Sequence, residues 1–494
     1  MTAREVTATQ VARWLGPWRE RPRGSAYQAL HASIEQLLLD GRLPAGTRLP
    51  AERELARVIG VSRTTVTAAY TLLRDRGFAS ARQGSGTRTQ LPHSIPRSSA
   101  AQPSDTFVPS SREDILDLAC AALPAPAGLA QAVSAATHDH SAHLSGNGYD
   151  HLGQPLLREL IADRYTARGM PTTPDDILVT GGAVQALALV LRTVTEPGER
   201  VLVEHPTYPN ALEAISRAFT RTVPVSLASA DTGSAWDVES VIATVYQSAP
   251  RLAYLIPDFH NPTGQLMDDE HRVAVASALT RAHTLTVVDE TMVDLGLDVD
   301  PADQPPPFAA YDASDRTILL GSMSKSHWGG LRIGWVRAPR ELMPALAAAR
   351  ASLDLGTPLL SQLTAAHLLA AGPGVVHEQR DRLRARRQGL VAALQHHLPQ
   401  WRYRVPTGGL SLWCELERPV STALATAAAQ RGVRLAAGPR FGANGTLERF
   451  VRLPFTLPED QLADAVQRVA TAYAAVTQVS STARVAGVET GIVT

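Results

Sequence analysis

The chain has 494 residues, 44% of them hydrophobic and 19% charged, with 47 basic and 47 acidic side chains and two cysteines. That length implies roughly two to four globular domains, whereas the absence of an apolar run near ~20 residues and of an apolar leader excludes a bilayer span and a secretory signal, so a cytoplasmic protein is expected. The net charge of zero conceals a polarity, because residues 1–97 carry 15 arginines against 7 acidic residues and the remainder 32 basic against 40 acidic, which suggests a nucleic-acid-binding module joined to a different kind of domain.

Residues 1–23 are expected to be disordered. From Ala26 to Asp40 the residues Leu30, Ile34, Leu37 and Leu38 fall at helical spacing, and Gly41 ends the helix. After a Pro/Gly turn, Pro50 opens a second helix that stops at Gly60, and Ser62 caps a third that begins Arg63, Thr64, Thr65. Two short helices about a tight glycine-containing turn make a helix-turn-helix, and short donors with an arginine suit a helix that meets base edges and phosphates. The stretch FASARQGSGTRTQ places Gly84 and Gly86 at a hairpin tip between two extended runs, a basic wing. A small helical adaptor with solvated arginines is the competing reading.

Residues 24–90 resemble the winged helix-turn-helix DNA-binding domain of the GntR regulators, through LPAERELARVIGVSRTTVTAAYTLLRDRGF and the wing RQGSGT. The resemblance implies DNA contacts from Arg53, Ser62, Arg63, Thr64 and Gly84, with Arg63 as base reader and phosphate contacts setting affinity.

Residues 91–113, rich in Pro and Ser and without periodicity, read as a linker, either semi-extended or packed as an ordered strap. From residue 114 to 477 short apolar runs (ILVT, RVLVEH, LAYLIPDF, TLTVVD, TILLGS) alternate with helical stretches, which predicts an α/β fold with a mostly parallel sheet and a ligand site beyond the carboxyl ends of its strands. Residues 478–494 are expected to be a disordered tail. The cysteines, Cys120 and Cys414, are too few for a disulfide framework, lack metal-ligand spacing, and read as buried small hydrophobes.

Lys325, in GSMSKSHWGGLRIGW, is the one lysine among the 47 basic residues. Arginine cannot offer a deprotonatable primary amine, and such an amine can condense with the aldehyde of pyridoxal phosphate (PLP). Other polar landmarks end the apolar runs. Gly181-Gly182-Ala183 leaves amides free before a helix, Asn261 opens NPTG, and Asp289 ends TLTVVD, where a carboxylate can pair with a protonated pyridine or simply be solvated. Ser322 and Arg332 flank Lys325 and can bind a phosphate.

That order resembles the fold-type I PLP enzymes of the aspartate aminotransferase superfamily, including a small C-terminal α+β subdomain, over roughly residues 115–475. The resemblance implies an internal aldimine at Lys325, Asp289 on the pyridine nitrogen, Asn261 on the ring hydroxyl and Tyr208 stacked on the ring. It implies a phosphate held by Gly182, Ala183, Ser322 and Arg332, with Tyr149 reaching the site of a partner subunit, and an α-carboxylate on Arg452. The family commonly places a tyrosine two residues after the aspartate, where this chain has Thr291.

A GntR-like reader followed by an aminotransferase-like body resembles the MocR subfamily of bacterial transcriptional regulators. That resemblance implies a head-to-tail, domain-swapped homodimer that binds operator DNA and senses PLP or an amino compound joined to it. A working aminotransferase with a DNA-binding appendage is the alternative.

Overall fold

The computed structural model describes residues 5–16, 18–20, 25–39, 42–82, 86–90, 115–227, 236–443 and 445–486, with the backbone alone at 20, 82 and 479–486. The expected linker, 91–113, and the wing residue Gly84 lie outside the described residues.

Among the described residues the N-terminal module holds four α-helices, α1 (Ala8–Leu15), α2 (Ala26–Leu39), α3 (Glu52–Ile59) and α4 (Arg63–Asp75), and the strands β1 (Ala79–Arg82) and β2 (Gly86–Thr89). The last three helices follow the sequence reading. Gly60 closes α3 with φ +68, a left-handed conformation that suits glycine, and the Ser62 side chain accepts the Thr65 N–H to open α4. The antiparallel hairpin pairs Ala79 with Thr89 and Arg82 with Gly86, giving the expected wing.

Helix α1 corrects the expectation of a disordered start. Thr7 and Gln10 form a reciprocal capping box, and Val11, Leu15 and Trp18 enter the same core as Leu30, Ile34, Leu55 and Tyr70. The apolar residues of this stretch fall on one helical face and gain from that burial.

The large domain is a seven-stranded sheet, β4 (Ile177–Thr180), β5 (Arg200–His205), β6 (Arg221–Ser226), β7 (Leu252–Leu255), β8 (Leu285–Asp289), β9 (Thr317–Ser322) and β10 (Gly334–Arg337), in the order β4-β10-β9-β8-β7-β5-β6. Only β10 runs against its neighbours. Strands β4 and β7 to β10 are buried along their whole length, with apolar clusters on both faces, which is why they read as unbroken apolar runs.

A smaller α+β unit follows. The strand β3 (Leu116–Leu118) joins β11 (Arg402–Tyr403), β12 (Ser411–Glu415), β13 (Val433–Ala437) and β14 (Phe450–Pro454) in the order β11-β12-β14-β13-β3, so the start of the body pairs with its C-terminal part. The helix Glu459–Ala486 packs on this unit and continues past Thr477, correcting the expected tail start at 478. Cys414 is buried in this core as read, but Cys120 is half-buried. Among the described residues no single helix is long and apolar enough to cross a membrane.

Candidate functional site

The predicted landmarks gather along one edge of the seven-stranded sheet. A cavity of about 170 Å³ is lined by Gly182, Ala183, Tyr208, Asn261, Asp289, Lys325 and Arg332, together with Ala122, Thr291 and Ser324. Gly182 follows β4, Tyr208 follows β5, Asn261 lies beyond β7, Asp289 ends β8, and Lys325 lies just beyond β9. Parallel strands place their carboxyl ends together, so residues spread over 150 positions of sequence meet at one mouth.

Lys325 sits in a π-helical turn, Ser324–Trp328, an arrangement that often marks functional sites. Its Nζ donates to the Ala121 carbonyl at 2.6 Å. Desolvation holds the ammonium below its ordinary pKa, the Arg452 charge adds to that, and Asp289 opposes it. The amine is therefore neutral, and nucleophilic, at lower pH than a solvated lysine.

Asp289 is buried, accepts the Tyr254 hydroxyl at 2.7 Å and accepts the Thr291 N–H at 2.9 Å. Tyr254 escaped the sequence reading because it lies inside an apolar strand, where a tyrosine passes for core. Tyr208 borders the cavity with its hydroxyl accepting from Asn210 at 3.0 Å, and burial pushes its pKa up to about 12.

The amide end of helix Ala183–Val194 opens into the cavity without a side-chain cap. Such a terminus presents free N–H groups and a positive dipole end to an anion. Gly182 holds φ +114, and a Cβ there would lie 2.8 Å from Nη2 of Arg332, so the glycine lets the guanidinium close against the helix start. These groups fit a phosphate, and the fixed carboxylate opposite fits a pyridinium.

Ser322 does not itself line the cavity. Its hydroxyl lies 3.0 Å from the Ile333 carbonyl and 2.9 Å from the hydroxyl of Ser324, which lines the cavity. Tyr149 is 64% exposed and lies outside the cavity of its own chain.

Arg452 lies within β14, only 2% exposed, and donates to Asn261 Oδ1 at 3.3 Å and to the Ala119 carbonyl. Burial lowers its pKa to about 10. Cys120 is beside it, and desolvation raises the thiol pKa against the opposing Lys325 charge.

At the reading module Arg53, Ser62, Arg63 and Thr64 are exposed. Glu52 Oε2 lies 3.7 Å from Arg63 Nε and accepts the Thr67 hydroxyl at 2.7 Å, which brings the starts of α3 and α4 to one corner.

The fold and cavity define a protein class, an aminotransferase-type domain carried behind a winged helix-turn-helix. The chain belongs to the aminotransferase class I and II family, which matches residues 113–469, while residues 26–88 match the bacterial regulatory proteins of the gntR family. The two segments in this order give it the MocR architecture. It is 29% identical to the uncharacterized HTH-type transcriptional regulator YisV of Bacillus subtilis, covering 82% of this chain and 88% of that one. It is 26% identical to the HTH-type transcriptional regulator TauR of Rhodobacter capsulatus, covering 81% and 86%. Among solved structures, the α-aminoadipate aminotransferase LysN of Thermus thermophilus, complexed with N-(5'-phosphopyridoxyl)-L-leucine, superposes with a TM-score of 0.68 at 28% identity, covering 74% of this chain and 94% of that one.

Proposed function

We propose that this chain is a PLP-dependent DNA-binding transcriptional regulator whose cavity at Lys325 senses the cofactor or an amino compound joined to it. The observation that carries the reading is the convergence of Lys325, Asp289, Asn261, Tyr208 and the Gly182–Arg332 cradle on one cavity, in a chain that also bears a reading helix. When bound, PLP supplies an aldehyde that condenses with an amine and a ring that withdraws electrons. The chain's own groups do the rest. Lys325 offers the amine, Asp289 holds a proton at the pyridine nitrogen, and Asn261 faces the ring hydroxyl. The backbone of Gly182 and Ala183, the linked hydroxyls of Ser322 and Ser324, and Arg332 hold the phosphate, and Arg452 takes an effector carboxylate.

Tyr149, exposed and outside the cavity of its own chain, serves a second copy in a homodimer with shared sites. Arg53, Ser62, Arg63, Thr64 and Gly84 contact operator DNA. The protein works in the cytoplasm, at the nucleoid when bound to its operator.

The groups needed for proton transfer at a substrate Cα surround Lys325 and favour slow turnover as the second reading, against which stands Thr291 in place of the family's usual tyrosine. The test is DNA binding upstream of the protein's own gene, with and without PLP, for wild type, Arg63→Ala and Lys325→Ala. Arg63→Ala should lose DNA but keep PLP, and Lys325→Ala should keep DNA but lose the PLP response. A PLP-loaded protein that ignores this DNA at low salt and steadily makes keto acid would establish the second reading instead.

A further inference from the structure

Both cationic groups of the cavity are tied to one short stretch of backbone. Lys325 donates to the Ala121 carbonyl, and Arg452 donates to the Ala119 carbonyl. Ala119 is fully buried in a small apolar cluster with Ala436, Phe441 and Leu447, separate from the main cores.

Phe441 connects that cluster to the site a second time. Its ring centre lies 5.0 Å from Arg452 Cζ, within cation–π range, and its carbonyl accepts the Thr207 N–H at 2.9 Å, one residue before Tyr208. Leu447 connects the cluster to the reading module. Its N–H donates at 2.7 Å to the carbonyl of Leu39, the last residue of α2.

The last carbonyls of a helix lack partners within it, so an amide of the body completes the end of a helix in the DNA-binding module. Two residues on, Arg449 Nη2 donates to Gln36 Oε1 at 2.8 Å. Leu447 also holds φ +76, a left-handed conformation that a non-glycine residue keeps only where its surroundings enforce it, and which is concentrated at functional positions.

We propose that Leu447 and Arg449 form a coupling dock through which occupancy of the cavity sets the seating of the DNA-reading module. The inference rests on the regulatory reading above. A carboxylate at Arg452 competes with the Ala119 carbonyl for the guanidinium, and a ligand at Lys325 competes with the Ala121 carbonyl for the amine. Either competition frees the stretch from Ala119 to Ala121. Close-packed clusters yield little, so Ala119 passes the displacement to Leu447 and hence to the end of α2. The two seatings differ in contacts that the ligand itself alters, as a ligand-driven shift requires.

Two variants of the full chain test this. Leu447→Gly removes the packed side chain, keeps the N–H and accepts φ +76, while Gln36→Ala cuts the dock from the module's side. DNA affinity is measured on the segment upstream of the gene, with and without PLP, and cofactor uptake is read from visible absorption. Wild type should change affinity by about 5- to 150-fold, the usual range of coupling between sites. Both variants should shrink that change to under about threefold with uptake unaltered. If Leu447→Gly does not fold, Gln36→Ala decides alone. A wild-type-sized response in the folded variants overturns the dock and leaves the regulatory reading standing. A wild type that takes up PLP without any change in DNA affinity, whether or not an amino acid is added with it, overturns that reading, and the dock with it.

Discussion

Replacing Gly182 by alanine probes the phosphate cradle at its tightest point. The residue holds φ +114 and ψ 165, a region almost confined to glycine, so any side chain there costs about 1–3 kcal/mol of stability. The added Cβ would lie 2.8 Å from Arg332 Nη2 and 3.3 Å from its Cζ, closer than unbonded atoms approach, so the guanidinium must swing away. Losing one charge-assisted hydrogen bond to a phosphate forfeits about 1.5–3 kcal/mol, which weakens PLP binding by about 10- to 150-fold. Titration of the visible absorption with PLP measures the affinity, and urea unfolding measures the stability. Gly198→Ala is the control, since Gly198 holds φ +88 with no heavy atom within 4 Å of a built Cβ. It should lose stability and keep its PLP affinity. A Gly182→Ala protein that binds PLP as tightly as wild type would refute the cradle.

Three further outcomes follow from other parts of the chain. Burial lowers the His327 pKa from 6.5 to about 4, so the unfolded chain binds the proton first and stability falls as pH drops through that window, by about 3 kcal/mol in total; urea midpoints from pH 7 to 4 should show a steeper loss in wild type than in His327→Gln. Because desolvation lowers the Lys325 pKa from its ordinary 10.5, the rate of cofactor capture should rise with pH and level off below 10.5, and stopped-flow absorbance that keeps rising beyond it would contradict the buried amine. Ser62→Ala removes the cap of α4 and should cost about 1 kcal/mol in module stability and weaken DNA binding, both measurable by thermal unfolding and gel retardation.

The sheet and most of the cavity were legible because strands buried on both faces write themselves as apolar runs, and a binding edge collects whatever polar residues end them. Asp289, Asn261 and Lys325 were found that way, with the scarcity of lysine as an independent pointer. Tyr254 was hidden because a tyrosine in LAYL is chemically indistinguishable from core until its hydroxyl is seen on Asp289. Placing Ser324 beside Ser322 at the cavity needs the direction of the chain after β9, which composition does not carry. The carbonyls of Ala119 and Ala121 hold Arg452 and Lys325, yet every residue has a carbonyl, so no sequence signal marks them. Helix α1 is only two turns long, and its apolar face gains its partners, Leu30, Ile34 and Leu55, from the folded module rather than from its own stretch of sequence.

The most direct test is a single titration of the full chain with PLP in the presence of labelled DNA from upstream of its gene, following cofactor absorption and DNA affinity in the same sample. The account predicts that both change together, with one midpoint, and that both changes vanish in Lys325→Ala. Saturation of the absorption with DNA affinity constant throughout, with an added amino acid as without one, would contradict it, and would leave the chain an aminotransferase domain beside an independent DNA reader.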